Sequence, residues 1–238
     1  MRLPFPLSPQ QAGGGKVYGF VGASPGAGAT TLACASALHL AGAGEVVLVD
    51  LSPHGKVRVY MGLLPDTCPG SVLDAEGLSD PAGIRVVAVD SGRGPQVIPA
   101  PWRGLDCARV TASLVLKALL GCRKAFPLTV AVLPPLWGAG WPGALLSDTL
   151  FVVTKPDRED LDRLGDVLSL AARLGAGART RVVANQVGLP GGIATPDFLE
   201  AVRPHASVPY ARAVREQCNR RFLNPSGKLF GELFSLLE

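Results

Sequence analysis

No apolar run in this 238-residue chain is long enough to cross a bilayer, so a membrane-spanning role is not expected. The amino terminus lacks an early basic region followed by a long apolar segment. A secretory leader is therefore not expected either, and the chain is read as cytoplasmic. Cysteine pairing is also missing. Cys34, Cys68, Cys107, Cys122 and Cys218 are odd in number and widely scattered, with no Cys-x-x-Cys pair among them. That pattern fits a reducing compartment and no disulfide framework. Histidine is scarce: His39, His54 and His205 are far apart, and neighbouring sequence gives none of them a catalytic or metal-ligating partner. No internal repeat and no second domain is evident.

What is present is an alternation of apolar and helical segments. The chain is 47% hydrophobic, largely Ala, Val and Leu of the kind that fills strands covered on both faces. Strands are expected over 16–22, 45–50, 84–89, 128–133, 149–153 and 181–185, with helices between them. The segment 157–174 is the clearest helix, with an acidic first turn and leucines at helical spacing. The expected fold is α/β, a mainly parallel doubly wound sheet flanked by helices in three layers. Residues 16–238 are read as a single domain, and 1–15, rich in proline and glycine, as a flexible tail. The stretches 65–83 and 91–106 are read as loops able to shape a partner surface.

One segment carries chemistry. Residues 17–31 read as a buried strand, a glycine-rich turn and a helix start, ending Gly28-Ala29-Thr30-Thr31. A phosphate loop would end Gly-Lys-Thr or Gly-Lys-Ser, its lysine contacting the β- and γ-phosphates. Here that lysine is Ala29. Glycines still permit turns that aim successive N–H groups inward, and a helix N-terminus still attracts anions. Phosphate binding is expected to be weakened rather than abolished, with Gly26, Ala27, Gly28, Ala29, Thr30 and Thr31 as the binding positions. Thr30 is the remaining candidate to offer a hydroxyl to Mg²⁺; no metal site is otherwise expected. The plainer alternative is a glycine-rich βα turn with no ligand.

The spacing resembles the deviant Walker A loop of the ParA/MinD family of P-loop ATPases, usually Lys-Gly-Gly-x-Gly-Lys-Thr-Thr. Residues 24–31 stand in that register, with Ser24 in place of the signature lysine and Ala29 in place of the phosphate lysine. Residues 45–55, Glu-Val-Val-Leu-Val-Asp-Leu-Ser-Pro-His-Gly, resemble the family's second strand and switch segment. Asp50 matches the first aspartate of that segment. Ser52 replaces the aspartate that orients the attacking water in the family, and His54 follows as a candidate for contact with a ligand or partner. Residues 126–135 resemble the strand that carries a magnesium-side aspartate, which here is Val132. Asn185 matches a position that often reads the adenine base. Pro209 lies in 207–211, which resembles the late Ile-Pro-Tyr-Asp loop and is counted with the nucleotide-binding positions.

The resemblance implies a P-loop NTPase-like sandwich over nearly the whole chain. Four replacements fall on charged chemistry while apolar and glycine positions persist. Phosphoryl transfer is mainly positioning and charge neutralisation, so their joint loss implies a pseudo-ATPase with no catalytic residue. No cofactor is required; ATP or ADP would be held weakly. The function expected is that of a non-catalytic scaffold or positioning factor. It resembles the TadZ and CpaE branch, which localises pilus-secretion machinery, and would act with protein partners and as a homodimer, if any, not driven by ATP. A slow ATPase or ATP-binding switch in division-site or DNA positioning is the alternative. A DNA- or membrane-surface binder is the third. The basic stretch at Arg212, Arg215, Arg220 and Arg221 is interrupted by Glu216 and has no interleaved aromatics, so a solvated helix face is expected rather than a nucleic-acid site. The amphipathic segment 228–238 is expected to pack on the domain, with membrane attachment through it as the alternative.

Overall fold

The computed structural model describes residues 14–53, 55–64, 66, 68, 70–75 and 80–238. Its strands are β1 (Lys16–Gly22), β2 (Val46–Asp50), β3 (Val89–Asp90), β4 (Gln96–Ile98), β5 (Leu128–Val132), β6 (Thr149–Thr154), β7 (Thr180–Val187) and β8 (Ala206–Pro209). They form one sheet in the order β3-β4-β2-β5-β1-β6-β7-β8. Every pairing is parallel except β3 with β4. The helices are α1 (Ala29–Leu40), α2 (Val57–Met61), α3 (Pro81–Val87), α4 (Gly104–Cys107), α5 (Ala112–Ala125), α6 (Trp141–Leu146), α7 (Arg158–Arg173), α8 (Thr195–Val202), α9 (Arg212–Asn219) and α10 (Gly227–Phe234).

Alternation along the strands builds two cores. Val17, Val21, Val47, Val49, Leu150 and Val152 face the layer containing α5, α6, α7 and α8. Tyr18, Phe20, Val46, Leu48, Phe151 and Val153 face the other layer, with α1 and α10. Both faces of the central strands are therefore buried, which is why the strands read as continuous apolar runs. The Tyr18 hydroxyl, inside the second core, donates to the carbonyl of Leu237.

The segment 84–89 departs from expectation. It is mostly helix α3, capped by Asp80, whose carboxylate accepts the Gly83 N–H at 2.8 Å, with Pro81 in the first turn. A cap followed by Pro at the first helical position is a helix start, and it overrides a short β-branched run. Only Val89–Asp90 is extended, as an antiparallel edge. The strand that pairs with β2 is instead β4, three residues between Pro95 and Pro99.

The amphipathic C-terminal segment forms α10, with Phe230, Leu233, Phe234 and Leu237 buried in the second core. His39 stacks on Phe234 at 4.0 Å between ring centroids. The Nδ1 of His205 accepts the Val182 N–H at 3.1 Å. Both histidines have structural partners. Among the described residues no helix is long and apolar enough to cross a membrane.

Candidate functional site

The sheet places the loop of residues 23–28 at the carboxyl end of β1, between β5 and β6, where chain connections diverge to either side. Ligands of open α/β sheets collect at such a point. The Ala23 N–H donates to the Val153 carbonyl at 2.8 Å, fixing the start of the loop to β6. Gly28 caps α1 with φ 102°, a left-handed conformation that only glycine adopts freely. No side chain caps α1, and no acid lies in its first turn. Its leading N–H groups therefore still present positive potential.

A cavity of about 530 Å³ opens at this helix end. It is lined by residues 24–31, Ser52, Val132, Asn185 and Pro209 among others, so one cavity gathers every expected phosphate- or base-side position. Asp50 is not part of that lining; it is fully buried. His54 lies outside the described residues.

Ser24 and Ser52, which the resemblance set at charged positions, are both buried. Ser24 Oγ donates to Asp160 Oδ2 at 2.6 Å, tying the loop to α7. Asp160 has no exposed surface, and Lys155 Nζ approaches it to 3.8 Å and Asp157 to 3.3 Å. A Cβ built on Gly26 would lie 3.7 Å from Lys155 Nζ, so this lysine stands against the back of the loop. Ser52 Oγ donates to Asp50 Oδ1 at 2.6 Å. The same oxygen accepts the Ser52 N–H at 3.0 Å, and Oδ2 accepts the Val57 N–H at 3.2 Å. Burial raises the carboxyl pKa of both aspartates, and their hydrogen bonds pull it partly back.

Asn185 also faces the loop. Its Nδ2 donates to the Ala27 carbonyl at 2.8 Å, and Gln186 Nε2 donates to the Gly26 carbonyl at 3.3 Å. Gln186, with φ 57°, sits in a register irregularity between β7 and β8 that begins at Asn185 and ends at Val187. A Cβ on Gly28 would approach Asn185 Nδ2 to 2.0 Å, so the close fit requires glycine there. One N–H of the Asn185 amide is thus engaged with the loop backbone, in the cavity wall.

The residues fit a magnesium ion poorly. Hard divalent cations are held by carboxylate and other oxygen ligands. No carboxylate appears among the described residues lining the cavity, Val132 offers an alkyl group, and the Asp50 oxygens are taken by three donors. Thr30 and Ser52 are among the lining residues, the Ser52 hydroxyl being bonded to Asp50. Thr31 is hydrogen-bonded to Tyr60 and Cys218, whose pKa values burial nonetheless raises.

Sequence reasoning missed four charged residues here: Lys155 and Asp160 behind the loop, and Lys56 and Arg215 in the cavity wall. Lys56 directly follows the switch-like segment 45–55. Arg215 lies in the basic stretch expected to be a solvated face. Arg212 in that stretch pairs with Glu216 at 2.9 Å, whereas Arg215 lines the cavity.

No family model matches the chain, and no curated protein matches it. Solved structures do. A ParA family ATPase from Chlorobium tepidum superposes with a TM-score of 0.75 at 19% identity, over 87% of this chain and 89% of that one. The septum site-determining protein MinD from Pyrococcus horikoshii, complexed with Mg-ADP, gives 0.75 at 14% identity, over 94% and 96%. A single-residue variant of McdA from Cyanothece, in complex with ATP, gives 0.68 at 16% identity, over 92% and 90%. These likenesses, with the parallel sheet and its helical layers, establish the fold as an α/β sandwich like that of these ParA and MinD structures.

Proposed function

We propose that the protein is a non-catalytic positioning factor or scaffold of the cytoplasm, built on a ParA/MinD-like fold, and that it localises a pilus or secretion assembly through protein partners. The observation that carries this reading is the inward turn of Ser52 onto Asp50 at 2.6 Å, in a cavity with no carboxylate among its described lining residues. In-line attack on a phosphoryl group needs an oriented water and neutralised charge. Ser52 spends its hydroxyl on Asp50, Val132 cannot ligate a metal, and Ala29 cannot reach a phosphate. Ser24, held by Asp160, is too short and uncharged to reach a nucleotide on a second copy. Assembly through an ATP sandwich is therefore not part of the proposal. The solved relatives include a MinC:MinD complex and a plasmid partition protein, so a protein-directed positioning role suits the scaffold. The wall residues Pro25 and Trp137, the latter 55% exposed, leave an apolar rim that a partner could cover.

Phosphate release with ATP and Mg²⁺ tests the reading. Turnover is expected far below about 1 per second, the lower end of ordinary enzymes. Ala29→Lys alone is expected not to raise it, because Ser52 and Val132 remain. Light scattering with and without ATP is expected to give the same mass. Rapid turnover, or a dimer formed only with ATP, sinks the proposal in favour of an ATP-binding switch.

A further inference from the structure

We propose that the cavity takes a phosphate-bearing anion without a divalent cation, and that Lys56 and Arg215 supply the positive charge the loop itself lacks. This rests on the reading of the cavity as retained but no longer hydrolytic. Its volume of about 530 Å³ suits a ligand of triphosphate or nucleotide size. One wall is the uncapped N-terminus of α1, with no acid in its first turn. Lys56 and Arg215 form part of the remaining wall, both side chains exposed and neither in an ion pair among the described residues. The sign of the cavity is therefore positive from three directions, with no carboxylate among its described lining residues to oppose it.

The placement of the two cations is built into the fold. Lys56 immediately precedes α2, Arg215 lies on α9, and α2 packs against α9. The same packed pair carries both charges to the cavity, whereas Lys155 is not part of the lining and is paired with Asp157 and Asp160. The two differ in use. Arg215 offers a planar fork that pairs with two phosphate oxygens, and Lys56 offers a mobile point charge. In a site that holds Mg²⁺, the metal neutralises the phosphate oxygens. Here no described carboxylate anchors the metal, and two side-chain cations take its place.

Calorimetric titration of the full chain in low salt with EDTA tests this, with sodium tripolyphosphate as the probe and ATP, ADP and adenosine as parallel arms. Tripolyphosphate and ATP are expected to bind, and replacing EDTA by Mg²⁺ is expected to leave the affinity unchanged or lower it. Lys56→Gln and Arg215→Gln are each expected to weaken binding about five- to tenfold. Arg158→Gln, on the exposed end of α7, is expected to leave it unchanged. Tighter binding of ATP than of tripolyphosphate assigns the ligand as a nucleotide, and equal binding assigns it as a free polyphosphate; both support the site. Absence of tripolyphosphate and ATP binding at millimolar concentration, a requirement for Mg²⁺, adenosine binding as tightly as ATP, or indifference to both substitutions overturns it. These outcomes are separate from turnover or ATP-gated dimerisation, which strike only the non-catalytic reading.

Discussion

Ser24 and Ser52 each hold a buried aspartate at 2.6 Å, yet the two pairs do different work. Asp50 accepts three hydrogen bonds from residues within seven positions of it, and so shapes the turn leaving β2. Asp160 is reached across 136 positions and has Lys155 as a nearby cation. One is a local organiser of backbone; the other is a tether between distant elements. A buried carboxylate is tolerated when donors or a cation satisfy it; Asp50 is satisfied by donors, and Asp160 by donors together with the Lys155 ammonium. At both positions a short hydroxyl turns inward to a buried carboxylate.

The difference can be broken by substitution. Asp50→Ala is expected to be the most damaging, at about 3 kcal/mol in urea unfolding, because it strands the buried N–H groups of Ser52 and Val57 together with a hydroxyl. Asp160→Ala is expected to cost about 2 kcal/mol, since it strands the Ser24 hydroxyl and a longer-range Lys155 N–H while the Lys155 ammonium keeps Asp157. The reverse order would show that the tether, not the turn, is the more important of the two. Ser52→Ala and Ser24→Ala are expected to cost about 1 kcal/mol each. Ser24→Ala should also raise hydrogen exchange at residues 26–28, and Ser52→Ala should leave that loop unchanged. Equal exchange in both variants would erase the distinction.

Titration gives the smallest effect. Burial places the folded-state pKa of both carboxyls above the unfolded value. Folding then favours the protonated form, so this contribution is fully present below the ordinary carboxylate range and declines as pH rises through the raised value. Asp50→Asn and Asp160→Asn should each flatten that decline. His205 acts in the opposite sense: burial first, then Arg181, lowers its pKa. Its contribution is present above the ordinary imidazole value and fades as pH falls through the lowered one. His205→Gln should remove that acid-side loss while leaving the carboxylate region unaltered, a pattern that unfolding measured from pH 4 to 8 would resolve.

Much of the architecture was legible because parallel strands buried on both faces leave unbroken apolar runs, as in 16–22 and 149–153. The glycine turn announced the cavity for the same local reason. The segment 84–89 misled because six apolar-rich residues fit either period, and the Asp80-Pro81 start was the deciding signal. Strand β4 was hidden by its brevity between two prolines. The aspartate behind Ser24 and the arginine in the cavity wall were not legible. Nothing in the neighbourhood of residue 24 points to residue 160, and one exposed arginine among four looks like its neighbours until α9 is placed against α2.

The two amides of Asn185 and Gln186 grip consecutive loop carbonyls, at Ala27 and Gly26, from an interior strand of the sheet. The loop is thereby ordered before any ligand arrives. Conformational entropy is lost when the chain folds rather than when the cavity fills. An anion entering it meets a cradle already set, so its affinity is governed by charge and desolvation instead of by the cost of ordering the chain.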